Sequence, residues 1–243
     1  MSRSLSIIVP VYNEESSIDD FYARVDRLGH ADALIFVDNA STDRTLEKIE
    51  ALPKGRVIRH DRNEGYGASV RDGLAASDSD DIIITDVDLE FPPEIIPELI
   101  ETLEQHRVAY CSRFLGRTPR MSLVRRLGNR LISELYNLLF QQHTTDLCTG
   151  VKAMRRDAFA LSELRLDGFD GAMEIAALFA ISGAKIHDVA VVYEPRVRGR
   201  SKMRHVPELL RFVRHIVGFW LRCVVLGRPL HPRPSDPAED SGH

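Results

Sequence analysis

The chain has 243 residues, 44% of them hydrophobic, and a net charge of −4, enough for one α/β core with an appendage. Three scattered cysteines, Cys111, Cys148 and Cys223, do not make a disulfide framework and predict a reducing compartment. The N-terminal apolar run is short for a signal peptide, and no stretch reaches the roughly 18 uncharged apolar residues of a membrane span.

The charge is unevenly divided. Residues 1–105 carry 23 acidic and 10 basic side chains, and residues 106–243 carry 13 and 22. An acidic half suits a metal-dependent site. A basic half suits a phosphorylated partner or an anionic membrane surface. Without zinc-finger spacing or an aromatic RNA-binding motif, nucleic acid is not an expected partner.

The first predicted strand, Ser4–Val11, is apolar, and Pro10 places a strand end or an edge there. A helix follows over Ser17–Leu28, then a strand over Ala33–Val37 that ends in Asp38-Asn39-Ala40-Ser41-Thr42-Asp43. Ser41 or Thr42 is a candidate cap for the next helix, which runs to about Leu52. A short strand, Gly55–Arg59, leads through Asn63-Glu64-Gly65-Tyr66-Gly67 into a helix over Ala68–Ala76. The run Ile82-Ile83-Ile84-Thr85 has no polar face and predicts an interior strand that stops at Asp86-Val87-Asp88-Leu89-Glu90. Pro92-Pro93 opens a helix to Gln105, and Val108–Cys111 is a fifth strand.

Strand and helix alternate about every 25 residues, the pattern of a parallel sheet covered by helices. Ligands of such sheets bind beyond the C-terminal strand ends. Four polar groups stand at those ends: Tyr12-Asn13-Glu14, Asp38-Asn39, Asn63-Glu64-Gly65 and Asp86-Val87-Asp88. Carboxylates gain nothing for a core. Together they make sense as a rim that holds a hard divalent cation and a phosphorylated ligand. The glycines of Gly65-Tyr66-Gly67 do not form a dinucleotide fingerprint, and there is no Walker A sequence.

Val9-Pro10-Val11-Tyr12-Asn13-Glu14-Glu15, Val37-Asp38-Asn39-Ala40-Ser41-Thr42-Asp43, Asn63-Glu64-Gly65-Tyr66-Gly67 and Asp86-Val87-Asp88-Leu89-Glu90 together resemble a family 2 glycosyltransferase of the GT-A fold, in order and spacing over about the first 200 residues. Ser112-Arg113-Phe114-Leu115-Gly116, Gly128-Asn129-Arg130, Asp146–Lys152 and Arg196–Lys202 narrow the resemblance to the polyprenyl-phosphate (dolichyl-phosphate) mannosyl- and glucosyltransferases.

The resemblance implies an α/β fold, mainly a parallel sheet with helices on both faces, over residues 1–204. It implies a nucleotide-sugar donor, GDP-mannose or UDP-glucose, and a polyprenyl phosphate acceptor. Pro10, Tyr12, Glu14, Val37, Asp38 and Asn39 would bind the nucleotide; many relatives have Asp where this chain has Asn39. Asp86, Val87 and Asp88 would hold the diphosphate, with Mg2+ or Mn2+ on Asp86, Asp88 and Glu90. Arg113, Arg196 and Lys202 would grip phosphates. Asp88, Arg113, Arg130 and Glu174 are the candidate catalytic residues.

Six arginines lie between Arg113 and Arg130. Some make a solvated helix face, and others suit bidentate phosphate recognition. Asp146 and Glu174 stand alone and read as structural acids. They become the candidate bases only if the acceptor is a hydroxyl of a glycan or small metabolite. Arg196–Arg204 has five basic residues in nine and reads as a lid over phosphates. Residues 205–227 form an amphipathic helix with a basic stripe (Arg211, Arg214, His215, Arg222) and a wide apolar face. That face fits a membrane interface on the cytoplasmic side or docking on the chain's own domain. The proline-rich tail, 228–243, is expected to be disordered.

Overall fold

The computed structural model describes residues 3–116, 121, 123–194, 205–227 and 230. Seven strands form one sheet in the order β3-β2-β1-β4-β6-β5-β7. They are β1 (Leu5–Val11), β2 (Ala33–Asp38), β3 (Arg56–Arg59), β4 (Asp81–Ile84), β5 (Val108–Ser112), β6 (Lys152–Arg155) and β7 (Ile186–Ala190). β1 lies parallel between β2 and β4, while β6 runs antiparallel to both β4 and β5. The sequence predicts only the parallel part. β6 is four residues long and has no apolar run to announce it.

Alternation along the strands sorts two cores. Ile8, Ile35, Val37, Ile82 and Ile84 pack on one face; Ile7, Val9, Phe36 and Ile83 pack on the other. The helices that cover the faces are α1 (Ile18–Leu28), α2 (Thr45–Glu50), α3 (Tyr66–Ala75), α4 (Ile96–Gln105), α5 (Leu123–Phe140), α6 (Gly171–Ile181) and α7 (His205–Trp220). A 3-10 turn at Pro93–Ile95 precedes α4. None of the described helices is long and apolar enough to cross a membrane.

Pairing explains Pro10. β1 pairs with β4 only over Leu5–Ile8, but with β2 as far as Val11, so Pro10 sits beyond the last β4 partner, where a missing N–H costs least. α2 begins later than expected, at Thr45, because Asp43 accepts the Thr45 N–H at 3.0 Å. Ser41 and Thr42 do not cap it. The Ser41 hydroxyl takes the Asn13 N–H, and the Thr42 N–H goes to the Asn13 side chain.

The C-terminal helix docks on its own domain. Phe212, Ile216 and Phe219 of α7 are buried in the core shared with α5 and α6, and His215 meets Asp170, the residue before α6, at 2.9 Å. In the expected tail, Leu230 is buried too, while residues 231–243 lie outside the described residues.

Candidate active site

The C-terminal ends of β1, β2 and β4 converge. Beyond each strand one non-glycine residue takes the left-handed conformation: Asn13 (φ 53°), Ala40 (φ 60°) and Leu89 (φ 61°). Such residues cost of order 1–3 kcal/mol each and persist where surrounding bonds hold them. Here Asn13 is clamped to Ser41 and Thr42, and the Glu14 N–H donates to the Thr45 hydroxyl at 2.7 Å. The loops after β1 and β2 are thereby fixed to one another.

Two cavities open on this rim. The larger, about 390 Å³, is lined by Pro10, Tyr12, Glu14, Asn39, Asn63 and Ser69, among others. The smaller, about 170 Å³, is lined by Glu90, Phe91, Arg113, Arg125, Met173 and Phe212, among others. Asp86, Asp88, Tyr66 and Phe169 border both. The two aspartates predicted to hold metal thus stand on a shared wall. Tyr66 and Phe169 stack beside them, centroids 5.7 Å apart.

Asp86 and Asp88 fit a hard cation. Both offer carboxylate oxygens at the junction, and the larger cavity has room for phosphates to complete the shell. The third expected ligand, Glu90, lines the smaller cavity together with Asp86 and Asp88 and lies 3.9 Å from Arg125. Among the described residues, the three metal-ligating side chains that converge within 4.8 Å are His60, Glu64 and Asp72 instead.

The other expected residues separate. Pro10, Tyr12, Glu14, Asn39, Asp86, Val87 and Asp88 line the larger cavity. Val37 does not reach it, being wholly buried on the core face of β2. Asp38 is also buried, turned to the Ser41 N–H. Arg113 lines the smaller cavity with its guanidinium already engaged. Its guanidinium forms a fork on Asp146 at 2.6 and 2.8 Å, with both side chains almost fully buried, and also donates to the Cys148 carbonyl. Such a pair ties the segment after β5 to the segment between α5 and β6 and cannot be broken without leaving a buried charge. Arg130 lies on the exposed side of α5 and lines neither cavity. Glu174 is not a base. It is fully buried and accepts the N–H groups of Arg165 and Leu166. Arg196 and Lys202 lie outside the described residues.

Several residues at or beside the site are not singled out individually by the sequence, although Cys148, Gly150 and Lys152 belong to the Asp146–Lys152 stretch. Lys152, at the start of β6, is buried with its ammonium over the rings of Tyr66 and Tyr110. Desolvation pulls its pKa down, opposed by the charge of Asp86. Gly150 is needed for close approach, because a Cβ there would meet Asp86 Oδ2 at 2.1 Å. Burial pushes the Cys148 thiol up to about 12. Arg125 of α5 and Arg211 of α7 line one cavity each. An arginine within an amphipathic helix reads as surface until packing shows which way it faces.

The arrangement presents a polar cleft at a sheet's carboxyl edge, two carboxylates and a second slot beyond them. Residues 6–161 match the family model for Glycosyl transferase family 2. The chain belongs to that family. Within it, the chain is similar to a dolichol-phosphate mannosyltransferase of Pyrococcus furiosus, 29% identical, with 87% of this chain and 62% of the relative covered. The chain therefore spans under two thirds of that relative's length. A dolichyl-phosphate hexose transferase of Haloferax volcanii is 28% identical, covering 82% and 86%. The fold of this family 2 chain is shared by glucosyl-3-phosphoglycerate synthase from Mycobacterium tuberculosis, solved with Mn2+, UDP and glucosyl-3-phosphoglycerate. The TM-score is 0.63 at 20% identity, covering 95% of this chain and 81% of that one.

Proposed function

We propose that the chain is an inverting, metal-dependent glycosyltransferase that moves a hexose, mannose or glucose, from a nucleoside-diphosphate sugar to polyprenyl phosphate at the cytoplasmic face of a membrane. The observation that carries this reading is the Asp86/Asp88 wall shared by the two cavities. A donor in the larger one would bring its diphosphate and sugar C1 to that wall, facing an acceptor in the smaller one. Bound to Asp86 and Asp88, Mg2+ or Mn2+ would offset the charge that develops on the departing diphosphate.

A phosphate acceptor suits the smaller cavity. Phe91, Met173 and Phe212 give it apolar walls and Arg125 a cation. A phosphate monoester has its second pKa near ~6 and is anionic at neutral pH, so its oxygen attacks without a strong base. The new C1–O bond forms on the face opposite the leaving group, and the broken bond's electron pair goes to the nucleoside diphosphate. A hydroxyl acceptor would need a base, and Glu174 and Asp146 are both buried and engaged.

α5 supports the membrane part of the reading in place of α7. Leu123, Val124, Leu127, Leu131 and Leu138 are each at least 59% exposed and fall on one stripe about 100° wide. Ile132, Tyr136 and Phe140 are buried on the opposite side. Exposed Arg126 and Arg130 flank the stripe, as on helices that lie in an interface.

The test is transfer from radiolabelled GDP-mannose and UDP-glucose, in parallel, to polyprenyl phosphate in detergent, with Mg2+, Mn2+ or EDTA. Metal-dependent label in the lipid phase from one donor is the expected result. Intact donor binding with no lipid label from either donor refutes the lipid acceptor.

A further inference from the structure

Phe169 lies in the turn before α6 and is 37% exposed. Its ring stacks on Tyr66, at 19° and 5.7 Å between centroids, and the Lys152 ammonium lies 5.9 Å from the centroid of the same tyrosine. The turn is fixed from three sides. The buried Glu174 carboxylate accepts the N–H groups of Arg165 and Leu166 at 3.0 and 2.9 Å. The Asp167 and Gly168 carbonyls accept the Gly67 N–H at 2.7 and 3.1 Å. That seat leaves no room for a side chain, since a Cβ on Gly67 would lie 2.2 Å from the Leu166 carbonyl oxygen. On the far side, Asp170 meets His215 of α7.

An aromatic ring held this firmly, with its stacking partner on one face, keeps its other face and edge for whatever enters the cleft. Phe169 borders both cavities, as Asp86 and Asp88 do. Pro10, Tyr12, Asn39 and Asn63, which suit a nucleoside, line only the larger one. Phe91, Arg125 and Phe212, which suit the acceptor, line only the smaller one. The group that passes from one cavity to the other is the hexose, and it must cross beside this ring. A pyranose carries its hydroxyls around the rim and C–H bonds on its faces. Mannose and glucose share axial C–H bonds at C3 and C5 on one face, and such hydrogens, slightly positive, suit the negative face of an aromatic ring.

We propose that the face of Phe169 turned away from Tyr66 is the platform on which the donor's hexose ring lies, with Tyr66 backing it and the fixed turn setting its height against Asp86 and Asp88. The proposal rests on the donor reading of the larger cavity. Phe169 then recognises the sugar and not the nucleotide. The platform takes mannose and glucose alike, because the two differ at C2 and not on the C3–C5 face.

The experiment compares UDP and GDP with UDP-glucose and GDP-mannose by calorimetry, with Mg2+ and no acceptor. The proteins are wild type, Phe169→Leu, Phe169→Ala and Phe169→Tyr, with transfer kinetics and thermal melting on the same samples. Leucine keeps the apolar bulk without the π face, and tyrosine keeps both, so the comparison survives a loss of fold in the alanine variant. F169L is expected to bind the nucleoside diphosphate within about twofold of wild type. It is expected to lose about tenfold for the nucleotide sugar that the wild type binds. F169Y should match wild type for both. An equal loss for nucleotide and nucleotide sugar overturns the proposal, and so does F169L binding the nucleotide sugar as wild type does. A rise in KM confined to polyprenyl phosphate overturns it too, by giving the ring to the acceptor. A wild type that binds neither nucleotide refutes the donor reading itself, and the platform falls with it.

Discussion

Gly150→Ala tests whether the position of Asp86 matters to the chemistry. A Cβ at residue 150 would lie 2.1 Å from Asp86 Oδ2, with the ring of Phe91 at 3.4 Å. Ordinary contact begins near 3.4 Å, so the carboxylate must withdraw by about 1.3 Å. Gly150 is not among the positive-φ residues, so alanine suits its backbone. The atom displaced is the end of a side chain, and the cost to folding should stay near ~1 kcal/mol, the low end of overpacking. The cost to chemistry is larger, because a displacement of about 1 Å at a reacting centre lowers rates by ~100-fold. Hexose transfer is assayed against a metal titration, with thermal melting alongside. The expected variant melts within a few degrees of wild type (~3 °C), needs more metal and turns over about a hundredfold more slowly. A G150A protein with wild-type rate and wild-type metal dependence would refute the placement of the metal on Asp86.

Asp146→Ala leaves Arg113 buried without its partner and should cost about 3–5 kcal/mol in urea unfolding; the joint change R113M/D146L should recover part of that loss, and a double variant no better than D146A contradicts the account. Lys152→Met removes a buried cation whose folded pKa is depressed. Between that lowered value and the ordinary 10.5 the unfolded chain binds more protons, so wild-type stability rises with pH in this window. K152M should flatten the rise, and a slope equal to wild type counts against a depressed Lys152 pKa. Leu127→Ser with Leu131→Ser should leave stability within ~0.5 kcal/mol while reducing binding to anionic vesicles by at least about tenfold; unchanged sedimentation with vesicles would show that α5 does not meet the membrane.

What could be read from sequence followed from local chemistry. Apolar runs that end in Asp38-Asn39 and Asp86-Val87-Asp88 mark strands and their carboxyl ends. In a wound sheet those ends share one edge, so the rim that lines the larger cavity was legible from strand order alone. What each acid or arginine does there was not. The family resemblance put Arg113 on a phosphate and left Glu174 as a base only for a hydroxyl acceptor, and in the fold one is locked on Asp146 and the other takes two backbone N–H groups. Linear spacing does not record which long-range partner a charge meets.

The same holds for the helices. Apolar width left residues 205–227 free to meet a membrane or to dock on the chain's own domain, and packing buries Phe212, Ile216 and Phe219 there and leaves the α5 leucines exposed. The sequence by itself determined the strand–helix alternation, the family and the position of the carboxylate rim, because periodicity and turn chemistry are properties of neighbouring residues. Only the tertiary structure decided that β6 enters antiparallel beside β4, that Lys152 and Gly150 stand against Asp86, and that His60 is held between Asn39 and Asp72. Those contacts join residues far apart in the chain, and burial, which sets their energies, exists only once the sheet and helices have closed on one another.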